Sequence, residues 1–490
     1  MIARHPAAGG SRGLARDAAK MLTSSVGTQA LGLGSAILLR RFLGPSAMGT
    51  WTLLLTVLGY AGLSHVGTLH AAEREFPRAL AEDDLARASA IRSAAALVCL
   101  VGAGLAAVAC AGWALLHAQA SASMGIIPAY LAIAVIVQQS TAFHSVILRG
   151  QKQFGVLSGN GILVGTLSAC LLPVGAAAAG LPGVLVAALV VAGAGLFQLV
   201  RYSDQGIRTA GYRELVPLLR AGFPMFIYIL SFMALRTLDR VAIGSRMDVT
   251  ALGEYSVAIL LSTYLFMIPN TISPVLYPRL QELFVDAGNA GPLRQLLRHG
   301  LPMVGGVLAM LAAVALVLAP PALGLLLPSF RTGLGPAEIL LVGTVPLALV
   351  NLPGQILLTL HRQIVLALFT AALTAAALPL ELYAASTAGL SGVAYATSAI
   401  YVLLFVGMVV LCSVSLGERA SGLGIALESL LPALALAVWM IMVRQGIGQQ
   451  IAPNSHGAII VGGLFAAAIV TPYCVRLPAH LRGVQGLAWR

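Results

Sequence analysis

Runs of roughly 20 apolar residues, each long enough to cross a hydrocarbon core of about 30 Å as a helix, recur along the whole 490-residue chain. No other feature restricts the fold so tightly. In lipid every backbone N–H and C=O needs a partner inside the protein, so a chain crosses as helices or as a closed barrel. Barrel strands are short and alternating; these runs are continuous, which excludes a barrel. Charged residues make up 9% of the chain, under half the usual share of soluble proteins, and mean hydropathy is +0.92. The chain reads as an all-α polytopic membrane protein.

Windows of about 19 residues put spans near 21–39, 48–70, 93–116, 124–148, 155–178 and 182–200. A second set lies near 218–239, 252–275, 300–327, 334–358, 363–385 and 389–412, and two more near 424–443 and 457–475. The expectation is about 14 transmembrane helices. The loops leave no room for a soluble catalytic domain. The N-terminal text resembles the start of a signal peptide, but a full-length span follows without a convincing cleavage site, so the first helix is expected to be retained.

The net charge of +12 is scattered over short loops, with no basic, aromatic-laced domain to hold nucleic acid. With the N-terminus cytoplasmic, the even-numbered loops and both termini hold 22 of the 29 basic residues. The positive-inside rule therefore puts both ends in the cytoplasm, where basic loops face anionic lipid. The five cysteines lie singly in apolar text and read as small core residues. His65, His70, His117 and His144 lack ligand spacing, so no metal is expected, and no GxxxxGK[ST] motif marks an ATP site.

The chain also repeats itself. "AAGLPGVLVA" (178–187) matches "TAGLSGVAYA" (387–396) at an offset of 209. "EFPRAL" (75–80) matches "LYPRLQ" (276–281), and "RFLGPSAMGTW" (41–51) matches "RMDVTALGEY" (246–255) with one gap. Two pseudo-symmetric six-helix bundles are expected, residues 21–202 and 218–413. A cytoplasmic N-terminal segment (1–20), a cytoplasmic linker (203–217), helices 13–14 (424–476) and a tail (477–490) complete the chain. Six spans per copy make the repeats parallel, related by an axis along the membrane normal, as in transporters that rock one half against the other.

Four of the six basic residues expected on the outer side occupy corresponding places in the two copies: Arg40 and Arg41 after the first span, Arg240 and Arg246 after the seventh. Two readings are open. Helix dipoles and snorkelling to lipid phosphates would hold them as anchors, at about 0.3–1 kcal/mol each; or they form a basic gate between the bundles. "LRTLDRV" (235–241) is the sharper site. Arg236, Asp239 and Arg240, at i, i+3 and i+4, would share one helix face. An intramembrane arginine costs about 2.5–3.5 kcal/mol on insertion scales, so it normally faces a polar interior. Either an Arg–Asp pair pins the helix, or a surplus positive charge is offered to an anion, with Asp239 orienting Arg236 or serving cation coupling.

Arg149 and Lys152, with Arg362 as repeat counterpart, are either inside anchors or an entrance for an acidic headgroup. Glu73, Arg74 and Glu75 read as an interfacial ion cluster, and Glu381 as a lone acid near the end of its span.

"LLRAGFPMFIYILSFMALRTLDRVAIGSRMDVTALGEYSVAILL" (218–261) and "LLRRFLGPSAMGTWTLLLTVLGY" (38–60) carry a resemblance. They resemble the bacterial polysaccharide (O-antigen-type) flippase family of the multidrug/oligosaccharidyl-lipid/polysaccharide exporter superfamily. The shared pattern is "G-x-P" opening a helix, "L-D-R" near its end, "L-G-x-Y-S-x-A", and "R-x-L-G-P" before "G-x-W". The resemblance implies a central cavity lined by the first and seventh helices, bordered by Arg236, Asp239 and Arg240. It implies a non-enzymatic inner-membrane flippase, without cofactors, for undecaprenyl-pyrophosphate-linked oligosaccharide. Arg40, Arg41 and Arg246 would guide the anion's exit. Implied partners are the lipid-linked anionic glycan, membrane lipids, and glycan polymerase or glycosyltransferase proteins. The alternative is a cation-coupled multidrug exporter of the same superfamily, although the first span lacks the acid of acidic-cavity drug exporters.

Overall fold

A computed structural model of the chain describes residues 11–116, 126–203, 213–287, 290–418 and 421–442. The expected span at 457–475, the tail, most of the 203–217 linker and His117 lie outside the described residues. The helices are α1 (Ser11–Ala61), α2 (Thr68–Ala81), α3 (Leu85–Leu116), α4 (Ile126–Gly150), α5 (Phe154–Ser203), α6 (Leu215–Leu235) and α7 (Leu238–Arg246). There follow α8 (Val249–Ala287), α9 (Gly291–Gln295), α10 (Leu301–Leu326), α11 (Leu334–Leu349), α12 (Asn351–Thr359), α13 (Gln363–Ser415) and α14 (Gly422–Met442). Among the described residues ten helical runs are long and apolar enough to cross a membrane.

Three of the long runs, α1, α5 and α13, reverse direction inside themselves at a glycine. Gly44 takes φ 71° and ψ 175°, Gly180 61° and −139°, and Gly389 62° and −154°. That corner of backbone space is open to little but glycine. In α5 the reversal packs Gly175 on Gly183 and lets Asn160 Nδ2 donate to the Gly195 carbonyl at 2.8 Å. In α13 it brings Thr397 to Glu381. Along α1, Gly32 and Arg40 lie beside Tyr264 and Ser256 of α8, approaching its start; after Gly44, Gly49 meets Gly253 and Tyr60 has moved away to Thr237. Gly180 and Gly389 are the glycines of the duplicated "AAGLPG" and "TAGLSG". Lys152 and His361, also 209 residues apart, share a left-handed φ of 59° and 56°.

Two expected spans are interrupted. The run expected over 48–70 stops at Ala61, turns through 62–67 with Val66 at φ 47° and Gly67 at φ 80°, and resumes as α2. His65 Nδ1 accepts the Gly67 N–H, a local bond that competes with the helix ladder. Gln139 Nε2 of α4 donates to the Ala61 and Gly62 carbonyls at 3.1 Å each, the kind of side-chain support irregular backbone needs within lipid. The run expected over 218–239 is likewise cut, between α6 and α7.

The half before residue 204 meets the half after 213 where α1 packs on α8 and α2 on α6. The duplicated glycines face each other there. A Cβ on Gly49 would run into the Val249 carbonyl, and one on Gly253 into the Pro45 carbonyl, so the two contacts mirror each other. Leu54, Leu131, Leu185, Tyr255 and Phe405 fill the core. Leu100, Val108, Phe197 and Leu325 stay exposed on the outside, as lipid-facing side chains do.

Candidate functional site

The α6–α7 break carries the polar chemistry. α6 ends at Leu235, capped by Arg236, and Thr237, at φ −130° and ψ 0°, precedes α7. Arg236, Asp239 and Arg240 are therefore not on one continuous helix face, a correction to the reading from spacing. The Thr237 hydroxyl lies 2.9 Å from the Met233 carbonyl oxygen and 2.7 Å from the Tyr60 hydroxyl, so a residue of the first half braces the break in the second.

The break sends the charges different ways. The Arg236 guanidinium lies over the Phe266 ring, 4.0 Å from its centroid, a cation–π contact. Asp239 is 2% exposed, and its Oδ1 accepts the Arg240 backbone N–H at 2.7 Å and stands 4.0 Å from Arg240 Nε. The described ion pair is thus Asp239–Arg240. Arg240 Nε is buried without a hydrogen-bond partner.

Glu381, read from sequence as a lone acid, is buried at 1% exposure on α13. Its Oε1 accepts the Thr397 hydroxyl at 2.7 Å, while Oε2 is buried without a partner. Asp239, Tyr255 and Tyr401 lie within electrostatic reach of it. Two buried carboxyls, two tyrosines and two arginines thus surround the break, with polar atoms left unpaired at its heart, and such atoms mark a place for water, an ion or a ligand. Spacing held one clue. Glu381 and Thr397 stand eight residues either side of Gly389, and a reversal there pairs them.

The remaining candidates separate. Arg40 is 5% exposed and Arg41 is exposed. Arg40 donates from Nε to Ser256 Oγ at 3.1 Å, from Nη2 to the Ser256 carbonyl at 2.8 Å, and from Nη1 to the Ala36 carbonyl at 3.0 Å. Arg246 is exposed in the last turn of α7. Arg149, at the far end of α4, pairs with Glu73, whose other oxygen faces His70 at 3.6 Å; Arg149 is not part of the break. Among the described residues no group of histidines, cysteines and carboxylates could hold a metal.

This architecture defines a class: all-helical, multi-pass membrane proteins. A structure of the lipid II flippase MurJ in an inward closed conformation matches with TM-score 0.67 at 12% identity, over 94% of this chain and 99% of that one. An inward-facing multidrug resistance MATE family transporter matches with TM-score 0.60 at 14% identity, over 80% and 96%. A Vibrio cholerae MATE transporter, VcmN, matches with TM-score 0.54 at 15% identity, over 83% and 98%. At such identities the likeness is one of fold. Comparison with curated proteins finds no match. The model of the polysaccharide biosynthesis protein family covers residues 14–284, more than half of the chain, and the chain belongs to that family.

Proposed function

We propose that the protein is an inner-membrane flippase that moves lipid-linked oligosaccharide, carried on undecaprenyl pyrophosphate, to the outer leaflet by alternating access. The observation that carries this reading is the charged break between α6 and α7, braced across the halves by Tyr60 on Thr237. A sugar is too polar to cross hydrocarbon unaided. Arg236 and Arg240 offer the pyrophosphate cationic partners at the interface of the halves while the lipid tail stays in the bilayer. With both termini cytoplasmic, the Gly44 end faces outward, and Arg41 and Arg246 stand there to guide release. Arg149, at the cytoplasmic end, belongs to the entrance for the acidic headgroup. An inside-negative potential assists outward movement of negative charge by about 2.3 kcal/mol per charge per 100 mV. The buried Asp239–Glu381 neighbourhood supplies carboxyls for a coupling cation. Glycan polymerases or glycosyltransferases would work beside it.

Arg236→Ala combined with Arg240→Ala should abolish surface glycan export while protein level in the membrane is retained. Wild-type export from that variant sinks the reading. A cation-coupled multidrug exporter is the second reading, favoured by the same two buried carboxyls, and predicts drug sensitivity with intact surface glycan on deletion.

A further inference from the structure

The two halves are latched at both ends, and the latches differ in charge balance. At the Gly44 end, Arg40 of the first half closes on Ser256 of the second. All three of its acceptors are uncharged, and it makes no ion pair with a described carboxylate. At the opposite end Arg87 reaches Glu214, beside the start of α6, at 3.7 Å. Arg87 also faces Glu75 at 2.8 Å and Glu82 at 3.7 Å, so that latch is already saturated with negative charge.

We infer that Arg40 is an anion-displaced latch: its Nε–Nη2 edge holds the Gly44 end shut on Ser256, and a phosphate-class anion takes that edge when the end opens. The inference rests on the reading that the cargo is anionic. A planar guanidinium fork fits phosphate through two parallel bonds, and bonds to a charged acceptor are roughly twice as strong as those to a neutral one. The anion can reach that edge only after Ser256 has let go. It therefore binds the open form and not the closed one, which is the condition for a ligand to shift an equilibrium. Arg87 offers no such exchange, since an incoming anion would have to displace carboxylates. Anionic cargo thus releases the Gly44 end and leaves the opposite end shut, which gives the cycle a direction. Arg40 acts here as a positioning residue for the halves.

The test uses the full chain in lipid nanodiscs, with the native cysteines replaced by alanine. Spin labels at Ser46→Cys and Ser245→Cys report the Gly44 end, and labels at Ala86→Cys and Val216→Cys the opposite end. All four positions are exposed. The probe is inorganic pyrophosphate, compared with chloride at equal ionic strength. Pyrophosphate should raise the long-distance population of the 46–245 pair about fivefold, in line with exchanging neutral for charged acceptors, and leave the 86–216 pair unchanged. Ser256→Ala removes the Nε acceptor and keeps the carbonyl that Nη2 holds, so it should raise that population part-way without any anion. Arg40→Gln should remove the pyrophosphate response, and Arg40→Lys should keep a weaker one.

An equal pyrophosphate response in Arg40→Gln overturns the latch. So does an unresponsive parent. The transport reading fails on a different result, normal surface glycan in the Arg236→Ala, Arg240→Ala double variant, so the two failures are distinguishable.

Discussion

Arg40 and Arg41 are neighbours in the chain with opposite surroundings. Arg41 is exposed, and Arg41→Ala should change unfolding stability by no more than about 0.5 kcal/mol. Arg40→Ala removes three hydrogen bonds, two of them to Ser256 across the halves, and should cost about 1–3 kcal/mol in thermal or denaturant unfolding of the purified chain. Glu73 lends itself to a pH test. Burial alone would raise its carboxyl, but the neighbouring His70 and the charge of Arg149 outweigh it and hold Glu73 below the usual glutamate value. A carboxylate lowered in the folded state contributes stability that is present above its unfolded value and lost as pH falls through the folded one. Arg149 is 55% exposed, so solvent screening keeps the effect small. Glu73→Gln should lower Tm by about 1 °C at neutral pH. Its difference from the parent should fade as pH falls below the usual glutamate range.

Helices here are set by two kinds of glycine. Gly180 and Gly389 have open space where a Cβ would sit, so only the backbone angle requires glycine. Gly389→Ala should cost about 1–3 kcal/mol in unfolding, without a steric clash. Gly49 has no such angle; its Cβ would strike the Val249 carbonyl across the halves. Gly49→Val should therefore force the Gly44 end apart and raise the long-distance population of the 46–245 spin-label pair, which Gly389→Ala should leave unchanged. The turn glycines were legible from the duplication, because both copies carry the same "AGL(P/S)G" text. The cut at Arg236–Thr237 was not. "MALRTLDRV" is ordinary helix text, and the Tyr60 contact that meets the break comes from 177 residues away.

At the level of the whole molecule, the unequal distribution of arginines predicts orientation. Cysteines introduced at Ser46 should react with membrane-impermeant reagents from outside the cell, and those at Ala86 only after permeabilisation. Labelling in the reverse pattern would invert the assigned direction of transport. Packing between the halves reuses the repeat, with Gly49 against Val249 and Gly253 against Pro45. A mirrored contact of that kind suits two bundles that rock about a shared line.

Hydropathy, the run lengths and the duplicated text determined the helical membrane class and the glycine turns, because these are properties of short stretches read along the chain, though not the breaks inside the expected spans 48–70 and 218–239. Tertiary structure alone decided which arginine is buried, that Asp239 pairs with Arg240, and that Glu381 belongs with the α6–α7 break. Those outcomes depend on partners far apart in sequence, such as Arg40 and Ser256 at a separation of 216 residues, brought together only when the halves dock. A charge in lipid takes its energy from what lies beside it, and the neighbours of Arg40 are set by the other half of the molecule.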